Sequence, residues 1–246
     1  MRRAAIVPIL AVLLLMLSGC RSNTPATEPS TSGPDTSKNE ISPAPVPSVT
    51  GSSLRDDTRP RIVCFGDSLT AGYGTDADQA YPDFLQTELD HKGYSYRVVN
   101  AGVSGNTTKD GVERLQSVLA MKPAIIVVEF GGNDGLRGLR IADTRANLDK
   151  IVSTLTASRT KVVMAGITLP PDYGPDYIRQ FNETYSILAS KYHVPLFPFL
   201  LKGVFGVDGM MQADRTHATA QGNKVVAENV LTLIQPLLKK PSPSQR

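Results

Sequence analysis

The feature that most constrains the fold is an alternation of short apolar runs with segments of helical periodicity. The first run that predicts a strand begins at Arg61. The others occupy residues 96–100, 124–130, 161–167 and 194–198. Apolar residues recur at helical spacing in residues 79–91, 109–122, 141–158, 177–192 and 218–239. Strands that alternate with helices imply parallel crossover connections. The pattern therefore predicts an α/β fold with an open, doubly wound parallel sheet, since a closed (β/α)₈ barrel needs more strands.

The N-terminal segment has the pattern of an export signal. A basic start, Met1-Arg2-Arg3, precedes an apolar stretch at residues 6–17 that is too short for an ordinary transmembrane helix. The next residues, Leu17-Ser18-Gly19-Cys20, resemble the lipobox of bacterial lipoproteins. This resemblance implies a signal peptide at residues 1–19 and acylation of Cys20, which would anchor the chain to a membrane. An ordinary signal peptide with an incidental Cys20 is the alternative.

The composition of the following residues predicts a tether. Residues 20–60 are rich in Ser, Thr, Pro and Gly and have almost no apolar periodicity, so they cannot bury enough surface to fold. We expect a flexible linker here, a folded α/β domain at residues 61–240 and a disordered tail at residues 241–246. The predicted location is a membrane-anchored lipoprotein that faces the periplasm or cell exterior, on the outer membrane in a Gram-negative cell because Arg21 follows Cys20.

The charge and the cysteine content argue against nucleic-acid binding and against a fold held by disulfides. The net charge is +3 and the basic residues are scattered, which does not favour nucleic-acid binding. Two cysteines give no disulfide framework, and Cys64 lies inside an apolar strand where we expect a small buried side chain. We expect a monomer.

Polar residues follow the predicted strands at the edge where parallel strands place their ligands. The strand that starts at Arg61 ends in Gly66-Asp67-Ser68, the next loop contains Gly105, and the central strand is followed by Asn133. Each residue also has a structural interpretation. Asp67 and Ser68 can cap a helical turn, Gly105 can be a loop glycine and Asn133 can be a turn residue.

Together these residues suit nucleophilic catalysis. A serine hydroxyl needs a base to take its proton, and a histidine base needs a carboxylate to orient it. Asp214 and His217 are three residues apart before the last helix. The Ser68 and Gly105 N–H groups and the Asn133 amide could stabilise a developing oxyanion.

The same segments resemble the motifs of the SGNH (GDSL) hydrolases. Four blocks occur in the family's order: Gly66-Asp67-Ser68-Leu69-Thr70, Gly102-Val103-Ser104-Gly105-Asn106-Thr107, Gly131-Gly132-Asn133-Asp134 and Asp214-Arg215-Thr216-His217. The segment that begins at Gly131 and the loop Leu169-Pro170-Pro171-Asp172-Tyr173-Gly174 also look like the thioesterase/lysophospholipase/arylesterase branch. One departure is Ala218, where the family often has proline after the histidine.

The resemblance implies a flavodoxin-like three-layer α/β/α sandwich with five parallel strands and with no metal or cofactor. It implies that Ser68 is the nucleophile, His217 the base and Asp214 its orienter, with Ser68, Gly105 and Asn133 in the oxyanion hole. The loop from Leu169 to Gly174 would bind substrate.

The expected function is therefore hydrolysis of aryl esters, short or medium acyl esters or thioesters, or lysophospholipids. The alternatives are a carbohydrate or cell-wall acetylesterase and a non-catalytic ligand-binding lipoprotein. A nucleotide-binding protein is not favoured, because residues 66–74 match neither common phosphate-loop pattern.

Overall fold

The computed structural model describes residues 57–239. The predictions for the signal peptide, for Cys20, for linker residues 20–56 and for residues 240–246 lie outside the described residues. No helix within residues 57–239 has the length and apolar character needed to span a membrane.

A five-stranded sheet forms the centre of the described domain. Its strands are β1 (Arg61–Gly66), β2 (Arg97–Asn100), β3 (Ile125–Glu129), β4 (Lys161–Ala165) and β5 (Leu196–Phe197). Every neighbouring pair is parallel and the order is β2-β1-β3-β4-β5. This is the flavodoxin-like order, in which strands are added first on one side of β1 and then, from β3 onwards, on its other side. The predicted α/β fold and its five parallel strands are confirmed.

The apolar runs form strands because helices cover both faces of the sheet. In β1, Ile62 to Phe65 are fully buried, and all residues of β3 are buried. Such continuous apolar strands are typical of a parallel sheet between two helical layers. Cys64 is among these buried residues, as expected, and burial raises the pKa of its thiol to about 12.

The helices divide into two layers. They are α1 (Ser68–Ala71), α2 (Tyr81–His91), α3 (Thr108–Glu113), α4 (Leu115–Ala120), α5 (Gly132–Leu136), α6 (Ile141–Ala157), α7 (Pro175–Tyr192) and α8 (Ala220–Ile234). Helices α2 and α8 pack against each other, while α6 packs against α3, α4 and α7. Right-handed crossovers place these two groups on opposite faces of the sheet, which gives three layers.

Two of the long predicted helices differ from the observed ones. The single helix predicted at residues 109–122 is broken at Arg114, whose guanidinium donates hydrogen bonds of 3.0 Å to the carbonyl oxygens of Gly66 and Ala101. Arg114 therefore ties this layer to the ends of the first two strands. The closing helix predicted at residues 218–239 begins at Ala220 and gives way to a 3₁₀ turn containing Pro236, which cannot donate the next helical hydrogen bond.

Candidate active site

The turn after β1 presents Ser68 at the edge of the sheet. Asp67 is the N-cap of α1, and its side chain accepts a hydrogen bond of 3.0 Å from the Leu69 N–H. The chain packs so closely against β3 at this turn that Gly66 has no room for a side chain. A Cβ at Gly66 would lie 2.7 Å from the Glu129 carbonyl oxygen. The cap interpretation therefore holds for Asp67, while the Ser68 hydroxyl makes a different contact.

That contact joins Ser68 to the loop before α8. The Ser68 Oγ lies 2.8 Å from His217 Nε2, and His217 Nδ1 lies 2.7 Å from Asp214 Oδ2. The Asp214 carboxylate fixes an imidazole tautomer whose Nε2 can accept the serine proton. The structure thus brings Ser68 together with Asp214 and His217, although Ser68 and His217 are 149 residues apart in the chain, in the arrangement expected for nucleophilic catalysis.

Asp214 also shapes its own loop. Its Oδ1 accepts hydrogen bonds from the backbone N–H groups of Thr216 at 2.9 Å and His217 at 3.0 Å. Desolvation acts to raise the pKa of Asp214, but hydrogen bonds from the His217 side chain and from these two amides outweigh it, so the pKa lies below its usual value. A carboxylate in this state remains charged and can stabilise the imidazolium that forms during the reaction.

A second loop covers the imidazole from the other side. The Tyr73 ring centroid lies 4.7 Å from that of His217, and Gln212 Nε2 donates a hydrogen bond of 2.7 Å to the Tyr73 carbonyl oxygen. Gln212 also donates to the Ala218 carbonyl oxygen at 2.9 Å. Gln212 thereby holds the Tyr73 loop against the His217 loop. The residue that departs from the family pattern, Ala218, is buried here and precedes the Thr219 N-cap of α8.

Three possible oxyanion donors surround Ser68. Asn133 lies in the first turn of α5, and its Nδ2 donates to the Asn106 carbonyl oxygen at 2.9 Å and to Asp67 Oδ2 at 3.3 Å. Gly105 has a φ of 81°, and its carbonyl oxygen accepts a hydrogen bond of 3.0 Å from Arg137. Among the hydrogen bonds within residues 57–239, none uses the backbone N–H of Ser68 or Gly105. Both groups are therefore available to a ligand.

A buried carboxyl group that sequence reasoning missed lies beneath the nucleophile turn. Glu129 ends β3 and is fully buried, and its Oε2 accepts hydrogen bonds from Thr70 Oγ1 at 2.8 Å and from the Asp67 N–H at 3.3 Å. Its Oε1 has no hydrogen-bond partner. The signal was present in the sequence, since a charged residue follows Val128 at the end of an otherwise apolar strand.

Burial perturbs both carboxyl groups of this turn. Desolvation and then the neighbouring Asp67 charge raise the pKa of Glu129 well above its usual value. Desolvation also raises the pKa of Asp67 to about 6, opposed by hydrogen bonding and by the nearby His217. Like charges at close range disfavour double ionisation, so the neutral acid is the favoured form of Glu129.

An apolar cleft of about 280 Å³ opens at Ser68. Its wall is mainly hydrophobic and includes Leu136, Ile167, Leu169, Phe199, Leu201 and Phe205. Of the six residues predicted to form a substrate-binding loop, Leu169 and Pro170 line the cleft. The other four do not. Residues Pro171–Tyr173 form a 3₁₀ turn, and the Tyr173 hydroxyl donates to the Leu136 carbonyl oxygen at 2.8 Å, which fixes the loop to α5.

The sequence did not indicate most of this wall. Phe199, Leu201 and Phe205 lie between β5 and the His217 loop, where their spacing follows no helical or strand period. Within residues 57–239, no group of three or more His, Cys, Asp or Glu side chains has the arrangement of a metal site.

A parallel α/β sheet with a Ser-His-Asp triad at the carboxyl ends of its strands defines a serine hydrolase. Comparison with known proteins identifies the family, because residues 64–225 match the model of the GDSL-like lipase/acylhydrolase family. The chain belongs to this family, whose members are also called SGNH hydrolases, and it is a serine ester hydrolase.

Individual relatives agree with this assignment. The chain is 44% identical to esterase TesA of Pseudomonas aeruginosa over 178 residues, which cover 72% of this chain and 89% of TesA. It is 35% identical over 182 residues to the thioesterase 1/protease 1/lysophospholipase L1 of Escherichia coli K12, covering 74% of this chain and 86% of that protein. A crystal structure of TesA superposes with a TM-score of 0.70 at 44% identity, covering 72% of this chain and 99% of that chain.

Proposed function

We propose that this serine ester hydrolase cleaves acyl esters and thioesters through a covalent intermediate on Ser68. The observation that carries the proposal is the continuous set of contacts from Asp214 through His217 to Ser68 at the mouth of an apolar cleft. In the first step, His217 Nε2 takes the Ser68 proton while Oγ attacks the ester carbonyl carbon. His217 then gives that proton to the departing alcohol or thiol.

The second step removes the acyl group. A water molecule, deprotonated by the same His217 Nε2, attacks the acyl-serine carbonyl, and the proton returns to Ser68 Oγ. In both steps the negative charge on the carbonyl oxygen would be stabilised by the N–H groups of Ser68 and Gly105 and by the Asn133 amide, which would exchange its long hydrogen bond of 3.3 Å to Asp67 Oδ2 for one to the oxyanion. This mechanism uses side chains and backbone groups of the chain alone.

Substrates of short or medium acyl chain length fit the cleft best. Its volume of about 280 Å³ lies just below the range for small-molecule sites, roughly 300–1,000 Å³. The hydrophobic wall favours an acyl chain over a sugar, which requires polar partners for its hydroxyls. The names of the relatives, an esterase and a thioesterase/lysophospholipase, support aryl esters, thioesters and lysophospholipids as the classes to test.

A hydrolysis panel on the purified protein tests the proposal. It compares p-nitrophenyl esters from acetyl to palmitoyl, a lysophospholipid and an acetylated sugar, with Ser68→Ala as the blank. We expect turnover of the acyl esters and a loss of activity in the Ser68→Ala variant. Turnover of the acetylated sugar alone would instead assign an acetylesterase, and binding of the esters without any turnover would assign a ligand-binding protein.

We further propose that the protein is an exported, monomeric lipoprotein anchored to a membrane through Cys20. The support is the lipobox-like pattern at Leu17 to Cys20 and the Ser- and Pro-rich composition of residues 20–60. Labelling of cells with an alkyne analogue of palmitate tests the anchor, with Cys20→Ala as the control. Label in the wild type that is lost in the variant is expected. Equal label in both would contradict acylation at this residue.

A further inference from the structure

Arg215 lies between Asp214 and His217 of the Ser-His-Asp triad and has an unusual backbone conformation. Its φ is 55°, in the left-handed region that side-chain-bearing residues rarely adopt. The turn imposes this conformation, because the Arg215 N–H donates to the Gln212 carbonyl oxygen at 3.0 Å and the next amide donates to Asp214 Oδ1 at 2.9 Å. A glycine would meet this demand without cost, and the arginine at a strained position in a cleft directs attention to its side chain.

The Arg215 side chain has no partner within residues 57–239. It is exposed, and it makes neither an ion pair nor a hydrogen bond with the described part of the chain. Among the residues that line the cleft, Arg215 is the single lysine or arginine, and most of the remaining wall is apolar. The cleft thus joins an apolar region with one unpaired positive charge. A ligand of matching chemistry has an acyl chain and a negatively charged group.

The path of the proton during the reaction indicates where the negatively charged group of such a ligand would lie. His217 Nε2 must give its proton to the departing oxygen or sulfur, so the leaving alcohol or thiol lies on the His217 side of the scissile bond. Arg215 is two residues from His217 on the same loop and lines the cleft beside it, which favours the leaving-group side over the acyl side. The acyl chain, in contrast, would lie in the cleft against its apolar wall.

We propose that Arg215 forms a phosphate-binding subsite for esters whose leaving alcohol or thiol carries a phosphate group. A guanidinium binds phosphate oxygens through paired, charge-assisted hydrogen bonds. The inference rests on the proposed function. The chemistry is unchanged: the Ser68 Oγ–carbon bond forms, the carbon–oxygen or carbon–sulfur bond to the leaving group breaks, and the serine proton passes through His217 to the leaving atom. The phosphate remains intact.

Matched substrate pairs test the subsite. Hexanoyl glycerophosphate is compared with monohexanoylglycerol, and hexanoyl phosphopantetheine with hexanoyl pantetheine, so that each pair differs only in the phosphate. The measured quantity is the ratio of kcat/KM for the phosphorylated ester to kcat/KM for its neutral partner. We expect this ratio to fall about fivefold in Arg215→Gln and Arg215→Gly and to be retained in Arg215→Lys. Arg215→Gln removes the charge and keeps a side chain at the positive φ, whereas Arg215→Gly also relieves the backbone strain. An equal fall of the ratio in both variants would therefore show that the loss of charge is the cause.

Arg159 provides the matched control. It is also an exposed arginine in the left-handed region, with a φ of 63°, but it does not line the cleft. The ratio in Arg159→Gln should equal that of the wild type. A fall confined to the glycerol pair would assign the subsite to a lysophospholipid headgroup, and a fall confined to the thioester pair would assign it to a phosphorylated thiol.

Two results separate the failure of this inference from the failure of the proposed function. A wild-type protein that hydrolyses the neutral esters but shows the same ratio as Arg215→Gln would overturn the phosphate subsite alone. A wild-type protein that hydrolyses none of the four esters would overturn the proposed function. The ionic strength gives an independent check, because added salt should lower the ratio in the wild type and leave it unchanged in Arg215→Gln.

Discussion

Replacing Glu129 with glutamine should change how the stability of the protein depends on pH. The carboxyl is fully buried at the end of β3, and its Oε2 accepts hydrogen bonds from Thr70 Oγ1 and the Asp67 N–H. A glutamine oxygen can accept the same two bonds. Its amide nitrogen would take the place of Oε1, which has no partner in the wild type. The substitution therefore preserves the shape of the site and removes one titrating group.

The sign and size of the effect follow from proton binding. Desolvation, together with the Asp67 charge, raises the folded-state pKa of Glu129 well above the ordinary value of 4.5. The stabilisation from a group with a raised pKa is fully present below its unfolded pKa and is lost as the pH rises through the folded pKa. Between these limits the folded state holds one more proton, so stability falls by about 1.4 kcal/mol per pH unit. The Glu129→Gln variant has no ionisable group at this position, so its free energy of unfolding lacks this dependence on pH.

Urea denaturation at pH 5 and pH 6 measures the difference. The free energy of unfolding of Glu129→Gln, relative to that of the wild type, should increase by about 1.4 kcal/mol between these two pH values. Asp67 remains in both proteins, so its own titration contributes to both curves. Glu228→Gln is the matched control, because Glu228 is an exposed glutamate with no ion pair among the described residues.

A constant difference between the Glu129→Gln and wild-type free energies across this pH range would refute the reasoning. It would mean that Glu129 binds its proton equally in the folded and unfolded states, and burial beneath the nucleophile turn would then not favour the neutral acid.

Three further substitutions test the site. Asp214→Asn should lower kcat by about 10³–10⁴-fold in an ester hydrolysis assay, because the amide would favour the wrong His217 tautomer, and unchanged kcat would contradict this role. Asn133→Ala should lower kcat by about 10²–10³-fold through loss of an oxyanion donor, whereas a change in KM alone would indicate ground-state binding. Gly66→Ala should lower the free energy of unfolding by roughly 1–3 kcal/mol in urea, since its Cβ would lie 2.5 Å from Glu129 Oε2, and wild-type stability would contradict this packing.

The sheet was predictable because its central strands, β1, β3 and β4, are buried on both faces. The run of Ile and Val in β3 has no polar interruption until Glu129, and the helices between the strands have clear apolar stripes. The short helix α1 was foreseen only as a helical turn that Asp67 and Ser68 could cap, and α5 was not predicted. Each is a single turn held by tertiary contacts, such as the Asn133 amide to the Asn106 carbonyl oxygen, and periodicity is not visible over so few residues.

The break at Arg114 and the cleft wall depend on interactions that are distant in sequence. Arg114 sits in an amphipathic stretch that favours one continuous helix, and the break accompanies its hydrogen bonds to strand ends 13 and 48 residues away. Phe199 and Phe205 reach the cleft from an irregular segment, with no period to reveal their direction. In contrast, Ser68, Asp214 and His217 were identified because the chemistry of a serine nucleophile specifies its partners.

The central claim is that Ser68 carries the acyl group. Rapid acid quenching of the protein during turnover of a p-nitrophenyl ester, followed by peptide mass spectrometry, tests this directly. The account predicts one acyl group on the peptide that contains Ser68 in the wild type, and neither acylation nor turnover in Ser68→Ala. Acylation of another residue, or full turnover by the Ser68→Ala variant, would contradict it.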